Sequence, residues 1–524
     1  MMKKLLTLCA ALACTIGATA TDYKGGLSVV LNGTPSSYQQ ANIEVIRQDD
    51  GKYELKLADF VMPNGDGKLY VGTIDMQNVE AVESNGETIL SAAQQITIAP
   101  GSDPDQMWLG PALSVTPIPI KLKASLKGNA LRASIHIPFA TMGLDIDVLF
   151  NSTVLQIPNS GFEDFHIEKS GSKSGYEPNH WHSFLSATGM YASTQNAFSD
   201  IHTSVSKDVR PGTVGKSSIL VKATSIFGIV ANGIVANGTI TTGRMNAGDL
   251  SATSPLNHAF LDLSNTDKDG HGDPFYTQLA GRPDSLSVWV KFRQAVAQPD
   301  DPHASLNAVI TDGTRYQDPQ DKEYTNIVAK ATDTLITSQN EWVRLSIPFD
   351  YATYEANRAE VRAILVTMST NAHPGKGSAG DEFYIDDLEL VYLPKVRGIR
   401  VFGNEVQNFD PAVSDYDIRV PEEPSADVVV PTAPGYTTAI FVNKAARTIS
   451  LVAYGQDLQR HTVYTLKYTI DPTVTNGIDS ATAGGHDQVV AVYNINGQKV
   501  SAMQPGQLYI IRYADGTTVK VMGK

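Results

Sequence analysis

Short segments in which apolar and polar residues alternate recur along most of the chain. One of them places apolar side chains at Leu131, Ala133, Ile135 and Ile137. A strand directs successive side chains to opposite faces, so this period of two predicts strands with one dry face and one wet face. Gly, Pro, Asn and Asp separate the segments, and the period of a helix is nearly absent. The pattern predicts an all-β protein of barrels and sandwiches.

The length of 524 residues is more than one hydrophobic core organises, and it predicts roughly three or four domains. Changes in pattern divide the chain into a leader, a barrel, a larger sandwich, a smaller sandwich, a linker and a small C-terminal β domain. The predicted boundaries are 1–20, 21–152, 156–393, 395–472, 473–489 and 490–524.

The leader has the features of a signal peptide. Lys3 and Lys4 precede an apolar run, and the small residues Ala18 and Ala20 suit a signal peptidase that cuts after Ala20. Both cysteines lie in this leader, so the mature chain has no disulfide. Cys14 as a lipid-modified residue is the alternative. No later segment is apolar enough for a transmembrane helix, and the net charge of −14 argues against a nucleic-acid partner. We expect export to the cell surface or beyond.

The first domain contains two short motifs and a set of closing strands that suggest its family. Residues 23–29 read YKGGLSV, residues 64–67 read NGDG, and alternating strands close the domain. It resembles the Bacteroidetes calycin-like family, which implies a small up-and-down barrel related to lipocalins. A barrel of about eight strands either holds one small ligand or is filled by its own side chains. The filled barrel is the preferred interpretation, and a carrier of lipophilic ligands is the alternative.

The second domain opens with NSGFEDF at residues 159–165 and closes with DEFYIDDLEL at residues 381–390. Between them lie GRPDSLSVW at residues 281–289 and WVRLSIPF at residues 342–349. This order resembles the carbohydrate metabolism domain family and, more distantly, jelly-roll carbohydrate-binding modules. The resemblance implies a two-sheet jelly roll in which the first and last strands meet. It also implies a structural calcium ion at that junction.

The C-terminal part contains two further domains. Residues 399–403 read IRVFG, and this stretch looks like an immunoglobulin- or cadherin-like sandwich, for which we expect a spacer role. Residues 492–500 read VYNINGQKV and residues 506–512 read GQLYIIR. They are similar to the C-terminal sorting domain of the type IX secretion system, which implies an outer-membrane secretion machinery as a partner. A last β-hairpin module without a sorting role is the alternative.

Motifs that carry catalysis are missing. The sequence has no Gly-x-Ser-x-Gly elbow and no His-Glu-x-x-His helix. Gly215-Lys216-Ser217 is reminiscent of a phosphate loop, but Arg210 occupies the position of the first glycine. A glycosidase needs only two suitably placed carboxylates, and nothing in the sequence singles out such a pair. Whether the protein is an enzyme stays open, with a non-catalytic protein preferred.

Acidic residues suggest metal sites. If the first and last strands of the second domain meet, Glu163 converges with Asp386 or Asp387, and carboxylates with carbonyl oxygens suit calcium. The predicted calcium ligands are therefore Glu163, Asp386 and Asp387. Two alternatives have less support. One is a loop calcium held by Asp267, Asp269 and Asp273. The other is a site of His180 and His182 with His166. No cysteine or other clear ligand follows these histidines at a diagnostic spacing, so surface histidines are the preferred interpretation.

Two tryptophans fall on polar faces of predicted strands. Trp289 is out of phase with the apolar residues around it and shares a face with Lys291. Trp342 likewise shares a face with Arg344. A flat ring beside hydrogen-bonding groups is what a sugar platform requires. Cover by a loop or a neighbouring domain is the alternative, because large aromatic side chains are commonly buried.

These features together predict an exported, non-catalytic protein of the cell surface that binds glycans or adheres to them. The second domain is the predicted carbohydrate-binding module, with Trp289, Trp342, Lys291 and Arg344 as ligand-binding residues and a poly- or oligosaccharide as partner. One alternative is a secreted glycoside hydrolase or lyase with an unrecognised carboxylate pair. Another is the lipophilic-ligand carrier that uses the barrel.

Overall fold

The computed structural model describes residues 19–64, 67–139, 142–227, 234–337, 340–433, 437–474, 489–494, 498–500, 507–513 and 518–522. The chain divides into two compact units, of which the first combines Met1–Ser152 with Pro394–Lys524 and the second is Thr153–Leu393. Within the described residues, no helix has the length and apolar character needed to span a membrane. The predicted leader lies outside the described residues up to residue 18.

The first unit begins with an antiparallel sheet that closes on itself. Its strands are β1 (Thr19–Leu31), β2 (Thr34–Pro35), β3 (Gln39–Arg47), β4 (Tyr53–Asn64), β5 (Gly67–Ser84), β6 (Glu87–Ile96), β7 (Ile118–Lys127), β8 (Ala130–Phe139) and β9 (Leu144–Asn151). The helix α1 (Gly110–Leu113) precedes β7. Each strand pairs with the next long one, and β9 returns to β1, with Leu27 opposite Phe150. Apart from the short β2, this is a closed barrel of eight strands, as the sequence predicted.

The interior of the barrel follows from the alternation in its strands. In β8, Leu131, Ala133, Ile135 and Ile137 are buried, and the residues between them are more exposed. Residues in the same phase of the other strands join them in one apolar cluster. This packing agrees with the preferred interpretation of a filled barrel.

The second unit contains the larger sandwich. Its strands are β10 (Phe165–Ser170), β11 (Lys173–Pro178), β12 (Thr203–Ser206), β13 (Ser218–Lys222), β14 (Thr224–Ile226), β15 (Ile234–Ala236), β16 (Thr239–Thr241), β17 (Arg244–Ala247), β18 (Asn257–Leu261), β19 (Thr277–Gln278), β20 (Ser285–Arg293), β21 (His303–Thr311), β22 (Tyr316–Asp318), β23 (Ile327–Thr337), β24 (Val343–Pro348), β25 (Ala363–Ser369) and β26 (Glu382–Val391). It also contains the helix α2 (Ala192–Phe198) and a 3-10 helix (Glu355–Asn357).

Two five-stranded sheets form this sandwich. One has the order β12-β13-β26-β20-β24, and the other has β16-β25-β21-β23 with β19 beside β25. The residues predicted to form the apolar face of β20, such as Leu286 and Val288, are fully buried in the core between the two sheets. The opening segment meets the last strand, because the Leu388 N–H donates to the Ser160 carbonyl at 2.9 Å. A hairpin β10-β11, a hairpin β14-β15 and a small sheet β17-β18-β22 are added to it.

The smaller sandwich belongs to the first unit. Its strands are β27 (Gly398–Val401), β28 (Asn404–Glu405), β29 (Asp415–Val420), β30 (Val429–Thr432), β31 (Thr438–Asn443), β32 (Thr448–Tyr454) and β33 (His461–Ile470), with a 3-10 helix (Ala426–Val428). Sheets of three and four strands enclose one core. Tyr454 and Leu458 also pack against Val30 and Leu149 of the barrel. The spacer role expected for this domain stays a prediction.

The C-terminal strands β34 (Val489–Asn494), β35 (Lys499–Val500), β36 (Leu508–Tyr513) and β37 (Thr518–Met522) form an antiparallel sheet in the order β35-β34-β36-β37. Most of the predicted linker, residues 475–488, lies outside the described residues. The sorting role of this β domain stays a prediction.

Candidate functional site

The second sheet of the larger sandwich has a polar outer face at one end. In β21 and β25, apolar residues such as Leu306 and Val366 point into the core. At the polar end of these strands, the residues that alternate with the apolar ones point to the other side of the sheet and bear hydroxyl or amide groups. Together with neighbours on β16 and β23, they form a polar floor of Thr239, Ser305, Asn307, Thr332, Thr367 and Ser369.

The same outer face changes character further along the strands. Val309 and Leu365 are on the face that carries Asn307 and Thr367, but they are fully buried in a second apolar cluster with Leu261. One end of the face is therefore closed by the small sheet, whereas the polar end is open to a cavity.

The cavity has a volume of about 370 Å³. Aromatic and apolar side chains stand beside the polar floor, among them Phe184, Tyr191 and Met245. Two polar atoms of its lining, Asn237 Oδ1 and Gln195 Nε2, are buried without a hydrogen-bond partner. Buried polar groups normally have partners, so these two atoms leave hydrogen-bonding capacity for a bound molecule.

Two carboxyl groups in the cavity lining have environments that shift their pKa in opposite directions. Burial raises the pKa of Asp318, although the nearby Asn307 and Thr367 side chains partly oppose it. Asp249 is half-buried, and hydrogen bonds from the Ser251 N–H and the Ser254 side chain lower its pKa. The lining contains no Lys or Arg among the described residues. The cavity therefore suits a neutral or cationic molecule better than an anion.

The predicted residues Trp342 and Lys291 lie on the other sheet and meet at an acidic residue. The Trp342 indole N–H donates to Asp208 Oδ1 at 3.0 Å, and the Lys291 ammonium group bonds to the same carboxylate. Lys291 is 4 % exposed and lies over the Trp342 and Tyr384 rings. Sequence reasoning missed Asp208, which lies in a loop far away in the chain and carries no motif.

Trp289 and Arg344 are cross-strand neighbours in β20 and β24. The guanidinium group of Arg210 lies over the Trp289 ring at 5.4 Å from its centroid. Arg344 is exposed and donates from Nε to Ser287 Oγ at 2.8 Å. The four predicted residues thus share one outer face, where both tryptophans are half-buried. Their role in binding sugar stays a prediction.

The predicted calcium ligands do lie at the strand junction, but protein donors surround them. Glu163 accepts hydrogen bonds from the Lys216 N–H at 2.9 Å and from Ser217. Asp387 forms an ion pair with Arg210 at 2.5 Å. The donors to Glu163, Lys216 and Ser217, belong to the Gly-Lys-Ser motif, which here binds a carboxylate. Calcium at this junction stays a prediction.

Asp386 is the most buried of the three predicted ligands. It is 0 % exposed, and its Oδ1 has no hydrogen-bond partner. Burial raises its pKa to about 6, although the backbone N–H of Arg210 favours the charged form. The carboxyl group is therefore held by its position in the strand rather than by a complete set of donors.

The preference for surface histidines was wrong for two of the three. The side chains of His166 and His182 are 8 % and 0 % exposed, whereas that of His180 is 39 % exposed. The three aspartates of the acidic loop diverge, because Asp267 turns outward to an ion pair with Arg244 at 2.7 Å. Asp269 instead turns inward, towards His182.

Comparisons with known proteins support the barrel assignment. The profile of the calycin-like β-barrel domain matches residues 19–153. Curated proteins give no significant match.

Solved structures give distant likenesses. Two share the name "putative glycoside hydrolase". The protein from Bacteroides vulgatus is 17% identical with a TM-score of 0.30, and covers 44% of this chain and 96% of its own. The protein from Bacteroides thetaiotaomicron is 15% identical with a TM-score of 0.31. This match covers 52% of this chain and 86% of the other chain. A structure of carbohydrate-binding modules of the β-sandwich superfamily is 7% identical with a TM-score of 0.21. This match covers 64% of this chain and 91% of the other chain. TM-scores this low have no bearing on function.

Proposed function

We propose that the second unit is a carbohydrate-binding module that holds a neutral saccharide in the cavity on the polar end of its second sheet. The observation that carries this proposal is the floor of hydroxyl and amide side chains beneath aromatic walls. A sugar offers hydroxyl groups that both donate and accept hydrogen bonds, and it has apolar faces that pack against rings. The lining offers both kinds of contact.

The size and charge of the cavity narrow the ligand class. Small-molecule sites commonly have volumes of roughly 300–1,000 Å³, and the cavity at about 370 Å³ is near the lower end. Its ionisable lining includes Asp249 and Asp318 but no described Lys or Arg. An acidic sugar would meet these carboxylates without a countercharge. Neutral mono- or oligosaccharides are therefore the expected ligands, in agreement with the resemblance to jelly-roll modules.

Calorimetric titration of the purified chain with neutral and uronic-acid oligosaccharides tests this proposal. Asn307→Leu removes polar groups from the floor at similar volume, and we expect roughly fivefold weaker binding, since one such loss is worth about 1 kcal/mol. Trp342→Ala on the other sheet is the matched control and should bind as the parent does. Unchanged affinity in Asn307→Leu together with lost affinity in Trp342→Ala would move the site to the predicted tryptophan platform.

Hydrolysis is the second candidate function, because one carboxyl group in the cavity has a raised pKa and another has a lowered one. Such divergence is typical of an acid and a base that act together. Asp318 would be the proton donor and Asp249 the ionised partner. Release of reducing ends by the parent, and its loss in Asp318→Asn, would establish hydrolysis. Binding without release would leave the module non-catalytic.

The cellular place of this function is also proposed. The signal-peptide features of residues 1–20 and the resemblance of residues 490–524 to a sorting domain support display at the cell surface. Mass spectrometry of the native surface protein should find an N-terminus at Thr21 and a chain that ends near the linker. A mature protein that still ends at Lys524 would contradict the sorting role.

A further inference from the structure

Two amide side chains in the lining of the saccharide cavity use their N–H groups within the protein. Asn237 donates to the Asn371 carbonyl at 3.3 Å and to the His373 carbonyl at 3.1 Å. Asn257 donates to two backbone carbonyls in the same way, at 3.0 and 2.8 Å. An amide nitrogen has two hydrogens, so both are engaged in each residue. These two amides therefore offer no N–H donor to a bound molecule.

Asn237 instead offers the ligand an acceptor. Its Oδ1 belongs to the cavity lining and is buried without a hydrogen-bond partner. The orientation of the amide is fixed, because a carbonyl oxygen only accepts and the nitrogen must face the two carbonyls. Turning the side chain over would break both bonds. A ligand that places an N–H or O–H group at this oxygen therefore satisfies an atom that the protein leaves unpaired.

Two carboxyl groups add acceptors that carry negative charge. Asp249 and Asp318 both line the cavity. The Ser251 N–H donates to Asp249 Oδ1 at 3.0 Å and lowers the pKa of Asp249, which keeps this group ionised. Burial raises the pKa of Asp318, which the nearby Asn307 side chain partly opposes. A cation next to Asp318 would favour its ionised form. The lining is thus richer in acceptors than in donors, and it is acidic.

The described part of the lining brings no positive charge to these carboxylates. It contains no Lys or Arg, and burial lowers the pKa of its histidine, His258. Arg315 Nη2 is 3.4 Å from His258 Nε2, but Arg315 does not line the cavity. Lys330 acts electrostatically on Asp318, but its ammonium group donates to Gln320 Oε1 at 2.7 Å. A cationic group of the ligand would supply the countercharge that the lining lacks.

These features select one class of saccharide. An ammonium group has three N–H donors, no acceptor and a positive charge. We propose that the cavity prefers an amino sugar, whose ammonium group binds the Asp249 carboxylate while Asn237 Oδ1 accepts another N–H or O–H group of the same ligand. This inference rests on the proposed function, because it names the saccharide class that the same cavity takes. The proposed function expects neutral sugars to bind, and the inference adds that a cationic sugar binds more tightly.

Other substituents at the position of the amine satisfy the lining less completely. A hydroxyl group brings one donor and no charge, whereas hydrogen bonds between ionised groups are roughly twice as strong as neutral ones. Acetylation of the amine removes the charge, leaves one N–H donor and adds a carbonyl acceptor, which the lining has no spare amide N–H of Asn237 or Asn257 to meet. Three substituents on one sugar backbone should therefore give three different affinities.

Three disaccharides with the same backbone test the inference on the full chain. Cellobiose and the disaccharides of chitosan and chitin carry hydroxyl, ammonium and acetamido groups at the same ring position. Calorimetric titration slightly below neutral pH, where the amine is mostly protonated, should find the chitosan disaccharide roughly tenfold tighter than cellobiose, since one hydrogen bond to a charged group contributes about this factor. Added salt should lower this ratio, because it screens the attraction between charges.

The outcomes separate this inference from the proposed function. Equal affinities for the chitosan disaccharide and cellobiose would overturn the preference and leave a neutral-saccharide module in place. If none of the three disaccharides binds, the inference is wrong as well. The titration with neutral and uronic-acid oligosaccharides described above then decides the proposed function separately.

A variant tests the assignment of the ammonium group to Asp249. Asp249→Asn keeps an oxygen for the Ser251 N–H but loses the charge, so the preference for the chitosan disaccharide over cellobiose should disappear. Asp300→Asn removes the same charge from an exposed position of the second unit outside the cavity, and it should keep the parental preference. A full preference in Asp249→Asn would contradict the assignment. If circular dichroism shows that this variant folds poorly, the three disaccharides and the salt dependence decide on the parent chain alone.

Discussion

The barrel and the larger sandwich use the two faces of their strands in different ways. In the barrel, one phase of every strand points inward and is apolar, so that the enclosed side is filled by side chains such as Ile135 and Leu55. In the second sheet of the sandwich, the apolar core lies on one side only. The opposite face is enclosed as well, but its polar half, with Asn307 and Thr367, borders a cavity. The enclosed polar face borders a cavity in which a ligand can bind, whereas the apolar interior of the barrel is filled by its own side chains.

The largest effect should come from a cavity made in the barrel. Leu55 is fully buried in the barrel cluster, and Leu55→Ala should lower the free energy of unfolding of the first unit by about 2–5 kcal/mol. Val82 is 64% exposed on the same barrel, and Val82→Ala should change it by less than about 0.5 kcal/mol. Chemical denaturation measures both. If Leu55→Ala leaves the free energy of unfolding nearly unchanged, the interior of the barrel is loosely packed, and the lipophilic-ligand carrier becomes the better interpretation.

The sandwich should be more sensitive to acid than the barrel, because His202 is buried there as a neutral ring. It is 2% exposed, its Nδ1 lies 3.1 Å from the Lys222 carbonyl, and burial lowers its pKa to about 4. A lowered pKa means that the unfolded state binds the proton first. The contribution is therefore complete above the unfolded pKa of about 6.5 and is lost as pH falls towards 4.

The size of this acid effect is roughly 3 kcal/mol at most. Comparing the unfolding free energy of the parent and of His202→Gln at pH 7.5 and pH 4.5 isolates it from the other histidines. The parent should lose more stability than the variant over this interval. Equal losses would show that the ring is accessible to protons in the folded state.

Trp342 distinguishes the two candidate faces of the sandwich. Its ring packs with Lys291 and its indole N–H bonds to Asp208. Trp342→Ala should therefore cost about 1–2 kcal/mol of stability in thermal unfolding, with saccharide affinity unchanged if the cavity is the site. Trp342→Phe keeps much of the packing without the hydrogen bond and should cost less. A loss of affinity at parental stability would favour the tryptophan platform.

Much of the fold could be predicted from the sequence because alternation is local. The strands of the barrel and the buried residues of β20 follow from periodicity and turn residues, whereas the resemblance to the calycin-like family implied that the first sheet closes into a barrel. The floor of the cavity also had a signal, since Ser305 and Asn307 alternate with Ala304 and Leu306. It was overlooked because polar residues on a strand usually face solvent.

The rest of the site could not be predicted because it depends on elements and loops that meet only in the folded chain. Gln195, Asn237 and Asp318 come from three separate segments to line one cavity. The partners of His166 are likewise distant, since Asp269 is supplied by a loop about a hundred residues away in the chain. Spacing rules find ligands within one element, whereas here topology brings the elements together.

The smallest predicted effect concerns the outer face of the barrel, which is not wholly exposed. Ser28 is 1% exposed, and its hydroxyl donates to the Leu458 carbonyl of the smaller sandwich at 2.9 Å. Ser28→Ala removes the donor and leaves a buried carbonyl unpaired, which should cost about 1 kcal/mol. Because the two domains share one unit, barrel and sandwich should unfold together at a slightly lower temperature. Ser36→Ala, from a hydroxyl that bonds within the barrel, is the control. Separate transitions in Ser28→Ala would show that this contact couples the domains, whereas an unchanged melting curve would contradict a buried bond there.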